Sequence, residues 1–393
     1  MRIRNISANF FFLFLLLMPI NNLYEVYAMM QGRLSYGGWS MTLTPTSIKI
    51  YKDLFFIFFC ILIFTKMIKN HQYRMIVFSY PVIPVHFLIA LMGVFVCVSL
   101  VENNIINAVL GARAYINVIY IFLGLMLYPV LDRKRLHRIL FFLLLFQLGL
   151  QFYQYIEGLG IPVFAELRSP GFFIVPATSG LFSLLLIYIL PKNKLNFLLC
   201  FLSLMLSTST IGLVAFVLAI LYGFCRRHIT NSQGIVIFSI IAVFVLLILY
   251  NFGASITGRG AGVIESFNAR IGILSDIFLK SDTATIVWGN GFGTATSQAI
   301  LSEMSERVIT DNTFLSLLLN MGIVAVFLYM TFLFTLFIAD RSKMIFFTVL
   351  LYSVTANVFE LNPVSALLFV IVGFIYYEYY VTVRHPTFTR SQI

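Results

Sequence analysis

Charge is what this sequence most lacks. Only 10% of its 393 residues are Asp, Glu, Lys or Arg, where a water-soluble domain carries roughly 25%. The deficit excludes an ordinary soluble enzyme and puts most of the chain in lipid. Cysteine is also scarce: Cys60, Cys97, Cys200 and Cys225 fall in or beside apolar runs, and none forms a CxxC pair. They read as small apolar side chains, which excludes a disulfide framework or a thiolate metal site. No DxD-like acidic pair is present to hold a divalent cation.

What is present is apolar. Hydrophobic residues make up 60% of the chain, with 42 Phe and 20 Tyr, and the mean hydropathy is +0.97. The apolar runs are long and lack the period-2 alternation of a barrel strand, so helices are expected to cross the membrane. Spans are expected near 8–24, 50–68, 80–101, 112–131, 136–156, 171–190, 194–207, 209–225, 233–251, 312–338, 343–359 and 362–381. The fold class is therefore an all-α polytopic membrane protein, 1–393 forming a single integral membrane domain with about twelve transmembrane helices. The short seventh and eighth segments meet at Ser207-Thr208-Ser209-Thr210, as a hairpin or as one broken helix.

The net charge of +11 does not indicate nucleic acid. Most of the 26 basic residues, among them Arg133, Lys134, Arg135, Arg226 and Arg227, fall on alternate loops, and of 15 acids only Asp132, Asp340 and Glu378 share that side. Every short loop of that side is basic, as the positive-inside rule requires of cytoplasmic loops. Both termini are thus expected in the cytoplasm, in a bacterial inner membrane. Arg2 and Arg4, the run Phe10–Leu17 and Val26-Tyr27-Ala28 resemble a secretory signal. An uncleaved signal-anchor is the expected reading, and cleavage would leave eleven spans with the same orientation.

Three outer segments are long: 25–49, 157–170 and the large periplasmic loop 252–311 between spans nine and ten. Within the last, 262–280 carries Ile264, Phe267, Ile271, Leu274 and Phe278 at helical spacing and is expected to form a surface helix. None of the five histidines lies in an outer segment, so outer-face chemistry must run on arginine, carboxylate and backbone.

The candidates follow from that restriction. Arg168, beside Glu166, stands where an outer loop enters a span; a cation there is paired, snorkels to headgroups or is functional, and its planar fork suits phosphate. Arg259 and Arg270 are eleven residues apart, about three helical turns; headgroup or solvent contact suits Arg259 best, whereas Arg270 sits inside the amphipathic segment. Asp311-Asn312 opens the tenth span, with Asp311 either a helix N-cap or a general base. Trp288-Gly289-Asn290-Gly291-Phe292-Gly293 follows no convincing strand and reads as a turn permitting close backbone approach rather than a nucleotide loop.

Four pieces, in order, resemble the O-antigen ligase/polymerase superfamily. They are Arg168-x-x-Gly171-Phe172-Phe173 with Pro176 and Gly180; Leu206-Ser207-Thr208-Ser209-Thr210-Ile211-Gly212-Leu213; Ala269-Arg270-Ile271 leading to the 288–293 turn; and Asp311-Asn312-Thr313-Phe314-Leu315 followed by Asn320-Met321-Gly322-Ile323. Together they span roughly 165–330. The resemblance implies a GT-C-like glycosyltransferase architecture and a metal-independent, inverting glycosyl transfer at the periplasmic face, with no cofactor. It implies as donor an undecaprenyl-diphosphate-linked oligosaccharide, and as partners membrane lipid and a chain-length regulator protein. It makes Arg168 and Arg270 the diphosphate arginines, puts Asp311 where ligases carry a histidine, and places Arg259, Glu166, Asn312, Gly291 and Gly293 around the substrate. The missing periplasmic histidine favours polymerase over ligase. A transporter or flippase is the alternative from another class; the near absence of charge in the spans and the off-centre outer loop count against it.

Overall fold

The computed structural model describes residues 2–32, 43–102, 105–159, 161–163, 166–228, 272, 275, 283–292 and 312–384. They are helical throughout apart from turns and one hairpin of three residues a side. The helices used below are α1 (Arg2–Leu17), α2 (Tyr51–Lys69), α3 (Ile83–Glu102), α4 (Ile105–Tyr115), α5 (Tyr120–Leu127), α6 (Arg133–Ile156), α7 (Pro176–Ile189), α8 (Lys194–Leu206), α9 (Thr210–His228), α10 (Thr283–Trp288), α11 (Thr313–Ala339), α12 (Met344–Thr355) and α13 (Val364–Arg384). Strands β1 (Ile161–Val163) and β2 (Glu166–Arg168) pair antiparallel, with Ile161 opposite Arg168.

Among the described residues, six stretches are long and apolar enough to cross a membrane: Ile6–Met30, Tyr80–Val101, Ala108–Leu127, Arg133–Ile156, Thr313–Ala339 and Val364–Val383. Large apolar side chains face outward, with Phe64 at 66%, Phe142 at 60% and Phe327 at 71% exposure. Water does not tolerate such a surface on a monomer, and lipid does. The molecule is a membrane protein. Shorter apolar helices cover Pro176–Ile189, Lys194–Leu206, Thr210–Cys225 and Met344–Thr355. Helix thus occupies every expected segment except 233–251, which lies outside the described residues, as does nearly all of the expected surface helix 262–280.

The expected segments are less continuous than their hydropathy. Residues 171–190 do not form one helix: a 3-10 turn covers Gly171–Phe173, and α7 begins at Pro176, a residue suited to a first helical turn. Its 14 residues fall short of the ~20 that a full crossing takes. The 112–131 segment passes through a 3-10 turn at Ile116–Ile119. At 207–210 the chain turns, with Thr208 at φ 49°, so α8 and α9 are separate helices. Inside α11, Gly322 adopts φ 73°, ψ −175°, a conformation open to glycine alone.

The chain divides into two compact units, with the boundary falling inside α2 and α12. The first comprises 1–62, 130–266 and 342–348. Here the phenylalanine excess has a packing role: Phe10 meets Phe58 with ring centroids 4.2 Å apart, and Phe14 meets Phe55 and Phe59 at 5.7 and 6.3 Å. Asp132 caps α6, accepting from the amides of Lys134 and Arg135 at 3.0 and 3.2 Å. Arg135 then reaches α1, donating to Asn9 Oδ1 at 2.7 Å and lying 4.7 Å over the Phe12 ring.

The second unit comprises 63–129, 267–341 and 349–393. Its α5 and α13 touch backbone to backbone. A Cβ on Gly124 would fall on Val370 O, and one on Gly373 would fall on Ile121 O. Small residues let membrane helices approach this closely, and the approach is what their packing energy comes from. Gly373→Leu is therefore expected to force α5 and α13 apart at a cost on the order of 1–3 kcal/mol or more. The thermal unfolding midpoint of the detergent-solubilised protein reads this directly; a midpoint equal to wild type would contradict the contact.

Candidate functional site

Arg168 ends β2 and is 8% exposed. The chain that follows it, Ser169–Phe173, is buried and has no α-helix, only the 3-10 turn at Gly171–Phe173, so its backbone groups must find partners other than an α-helical ladder. α6 supplies them. Gln147, Gln151 and Gln154 lie four and three residues apart, on one helix face, and each is 0% exposed. Gln147 donates Nε2 to Pro170 O at 2.8 Å and accepts from Phe172 N at 3.0 Å. Gln154 takes both backbone groups of Gly171, accepting from its amide at 2.8 Å and donating to its carbonyl at 3.0 Å. Gln151 donates to Ser169 O at 3.1 Å. From the 3-10 turn after α1, Asn22 donates Nδ2 to the carbonyls of Phe172 and Phe173 at 3.3 and 3.2 Å.

The same glutamines join the turn to the helices beside it. Gln147 Nε2 donates to Ser179 Oγ on α7 at 2.8 Å. Gln151 donates to Ser203 O on α8 at 3.1 Å and accepts from Ser203 Oγ at 2.8 Å. The turn is also strained and tight. Gly171 has φ +66°, and a Cβ there would fall on the Gln147 amide. Ile174 has φ 64°, an outlier for a β-branched residue that costs on the order of 1–3 kcal/mol and survives only where its surroundings over-determine it. Phe172 and Phe173 anchor the turn, their rings 4.2 Å apart and packed on Phe182.

This unit also holds a buried carboxylate. Glu25, 4% exposed, accepts from Thr44 N at 3.0 Å, from Thr44 Oγ1 and from Lys49 Nζ at 3.1 Å. The pairing pins the segment Leu43–Lys49 to the N-terminal helices. The Ser/Thr-rich break before α9 satisfies itself locally: Ser207 Oγ donates to Leu204 O at 2.7 Å and accepts from Ser209 N at 3.4 Å.

The second unit brings residues 288–292 of the third sequence piece onto residues 319–322 of the fourth. The turn after α10 docks by its backbone on the kink of α11. Asn290 N donates to Leu319 O at 2.7 Å and Gly291 N to Asn320 O at 3.1 Å. A Cβ on Gly322 would fall on Val287 O, so the glycine that breaks the helix also admits the neighbouring chain. Gly291 is buried with φ 78°. Phe292, fully buried, donates its amide to Ser99 Oγ at 2.6 Å and packs on Tyr115 at 5.3 Å. The Tyr115 hydroxyl lies 2.5 Å from Ser316 Oγ and accepts from Asn320 Nδ2 at 3.0 Å. Asn357 Nδ2 reaches Ser316 Oγ at 3.1 Å and Glu360 Oε1 at 2.9 Å.

Asn312, not Asp311, is the N-cap of α11. Its Oδ1 accepts from Leu315 N at 3.1 Å and its Nδ2 donates to Val354 O at 2.8 Å, so both ends of the amide serve backbone. Glu166 is placed in β2, two residues before Arg168. Arg259, Arg270, Gly293 and Asp311 lie outside the described residues. Among the buried polar groups not singled out in the sequence are Gln147, Gln151 and Gln154 in the first unit and Tyr115, Ser316 and Asn357 in the second. The three glutamines carried a signal: polar residues at i, i+4 and i+7 inside an apolar run.

No protein-family model and no curated protein matches the sequence.

Proposed function

We propose that this chain is a polymerase of O-antigen or a related surface polysaccharide, moving an undecaprenyl-diphosphate-linked glycan onto a new lipid-linked repeat unit. In this reading it crosses the bacterial inner membrane twelve times, with both ends in the cytoplasm and the reaction at the periplasmic face. The observation that carries the reading is the Arg168 turn: a buried arginine followed by a strained segment without α-helix, held by neutral side-chain amides. A membrane protein retains such a segment where backbone and cation serve a ligand. An arginine fork matches the oxygens of a diphosphate. The order of the four sequence pieces supports the superfamily, and the absence of histidine from the outer segments favours polymerase over ligase.

The chemistry is a single displacement. The acceptor hydroxyl oxygen bonds to the anomeric carbon of the donor, the bond from that carbon to the diphosphate oxygen breaks, and undecaprenyl diphosphate leaves. Arg168 and Arg270 stabilise the charge that builds on the leaving group. Asp311 takes the proton from the attacking hydroxyl. It directly precedes the cap of α11, where the positive helix end favours an ionised carboxylate.

Arg168→Ala and Arg270→Ala are each expected to abolish polymer on surface-glycan electrophoresis while the protein accumulates in the membrane at the wild-type level. Unchanged chain length in both removes the diphosphate clamp. Asp311→Asn separates base from scaffold, because Asn suits a helix start about as well as Asp. Loss of polymer in that variant is expected, and full activity would assign Asp311 to structure alone.

A further inference from the structure

We infer that Gln154, together with Gln147, is a positioning residue for Arg168: their amides fix the backbone just beyond the arginine and so set where its guanidinium meets a lipid-linked diphosphate. The inference rests on the role proposed above for Arg168.

Gln154 Oε1 and Nε2 bond to the amide and carbonyl of the same residue, Gly171, at 2.8 and 3.0 Å. Gln147 grips the residues on either side, Pro170 O and Phe172 N. Only a side chain carrying a donor and an acceptor at one end does this. A glutamate keeps the acceptor and loses the donor; a methionine of similar length has neither. Each support is also neutral, so it fixes the turn without adding negative charge near the cation, where a carboxylate would compete with an anionic ligand. The contrast with Gln151 is informative. That residue divides its bonds among Ser169, Ser179 on α7 and Ser203 on α8, whereas the bonds of Gln154 go to Gly171 of the turn. A helix that needed only internal glue would not aim a fully buried amide at a strained turn, where unmatched backbone groups cost several kcal/mol in an apolar surrounding.

The test measures binding of undecaprenyl diphosphate to the purified full-length chain in detergent micelles. Wild type is compared with Arg168→Ala, Gln154→Met, the double variant and Tyr376→Phe. A positioning role predicts that Gln154→Met weakens binding by about tenfold or more, as expected when a binding group loses its orientation. It also predicts that the double variant binds no worse than Arg168→Ala alone, since the amide acts only through the arginine. Tyr376→Phe, which removes the buried 2.9 Å hydrogen bond between Thr335 on α11 and Tyr376 on α13 in the second unit and touches no group of the turn or of its supporting glutamines, is expected to bind as wild type. If Gln154→Met fails to accumulate, Gln154→Glu carries the same comparison. Wild-type affinity in the Gln154 variant, a loss that adds in full to that of Arg168→Ala, or an equal loss in Tyr376→Phe overturns the positioning role and leaves the proposed function standing. A wild-type chain that does not bind the probe overturns both.

Discussion

A non-helical backbone inside an apolar surrounding must be satisfied group by group, and this requirement governs the first unit. Between Arg168 and α7 the carbonyls of Ser169–Phe173 and the amides of Gly171 and Phe172 are met by side-chain amides from Gln147, Gln151, Gln154 and Asn22. Each unmatched group would cost on the order of 1–3 kcal/mol, comparable to a sizeable fraction of a protein's net stability. The arrangement explains why α6 tolerates three buried glutamines, why α7 starts late and short at Pro176, and why Gly171 has no room for a side chain. It also makes the backbone leading from Arg168 rigid, which a binding cation needs.

The second unit solves the same problem with smaller side chains. Thr313 Oγ1 donates to Ala356 O at 3.0 Å and accepts from Val358 N at 2.9 Å, and Asn117 donates to Phe359 O at 2.9 Å. These bonds hold the turn between α12 and α13. The glycine turn at 289–292 docks mainly by backbone: the amides of Asn290 and Gly291 donate to the carbonyls of Leu319 and Asn320 where Gly322 interrupts α11, and the amide of Phe292 donates to Ser99 Oγ. In each unit the irregular backbone coincides with a sequence piece singled out for its polar or glycine content.

Hydropathy made the helical segments legible because composition alone separates lipid-facing runs from loops, and every expected segment within the described residues holds helix. Their interruptions were not legible. Gly322 breaks α11 because Val287 approaches it, and Ile174 is forced to positive φ by the packed Phe172-Phe173 turn; both causes are tertiary. The cap of α11 was misjudged by one residue, since Asp311 and Asn312 are nearly equal capping residues by type and only geometry selects Asn312. The glutamines escaped notice for another reason: attention to charged groups passes over neutral amides, although their i, i+4, i+7 spacing in an apolar run marks a buried polar face. Glu25 likewise read as part of an outer segment, and its burial depends on Thr44 and Lys49 arriving from a later stretch of chain.

If this chain lengthens a lipid-linked glycan, its loss must show in the surface polysaccharide. Its gene is deleted and the surface glycans are separated by electrophoresis, with lipid-linked intermediates extracted in parallel. The ladder is expected to disappear and a single repeat unit to remain on lipid A-core. An unchanged ladder, or bare core with long polymer accumulating on the lipid carrier, would contradict that activity.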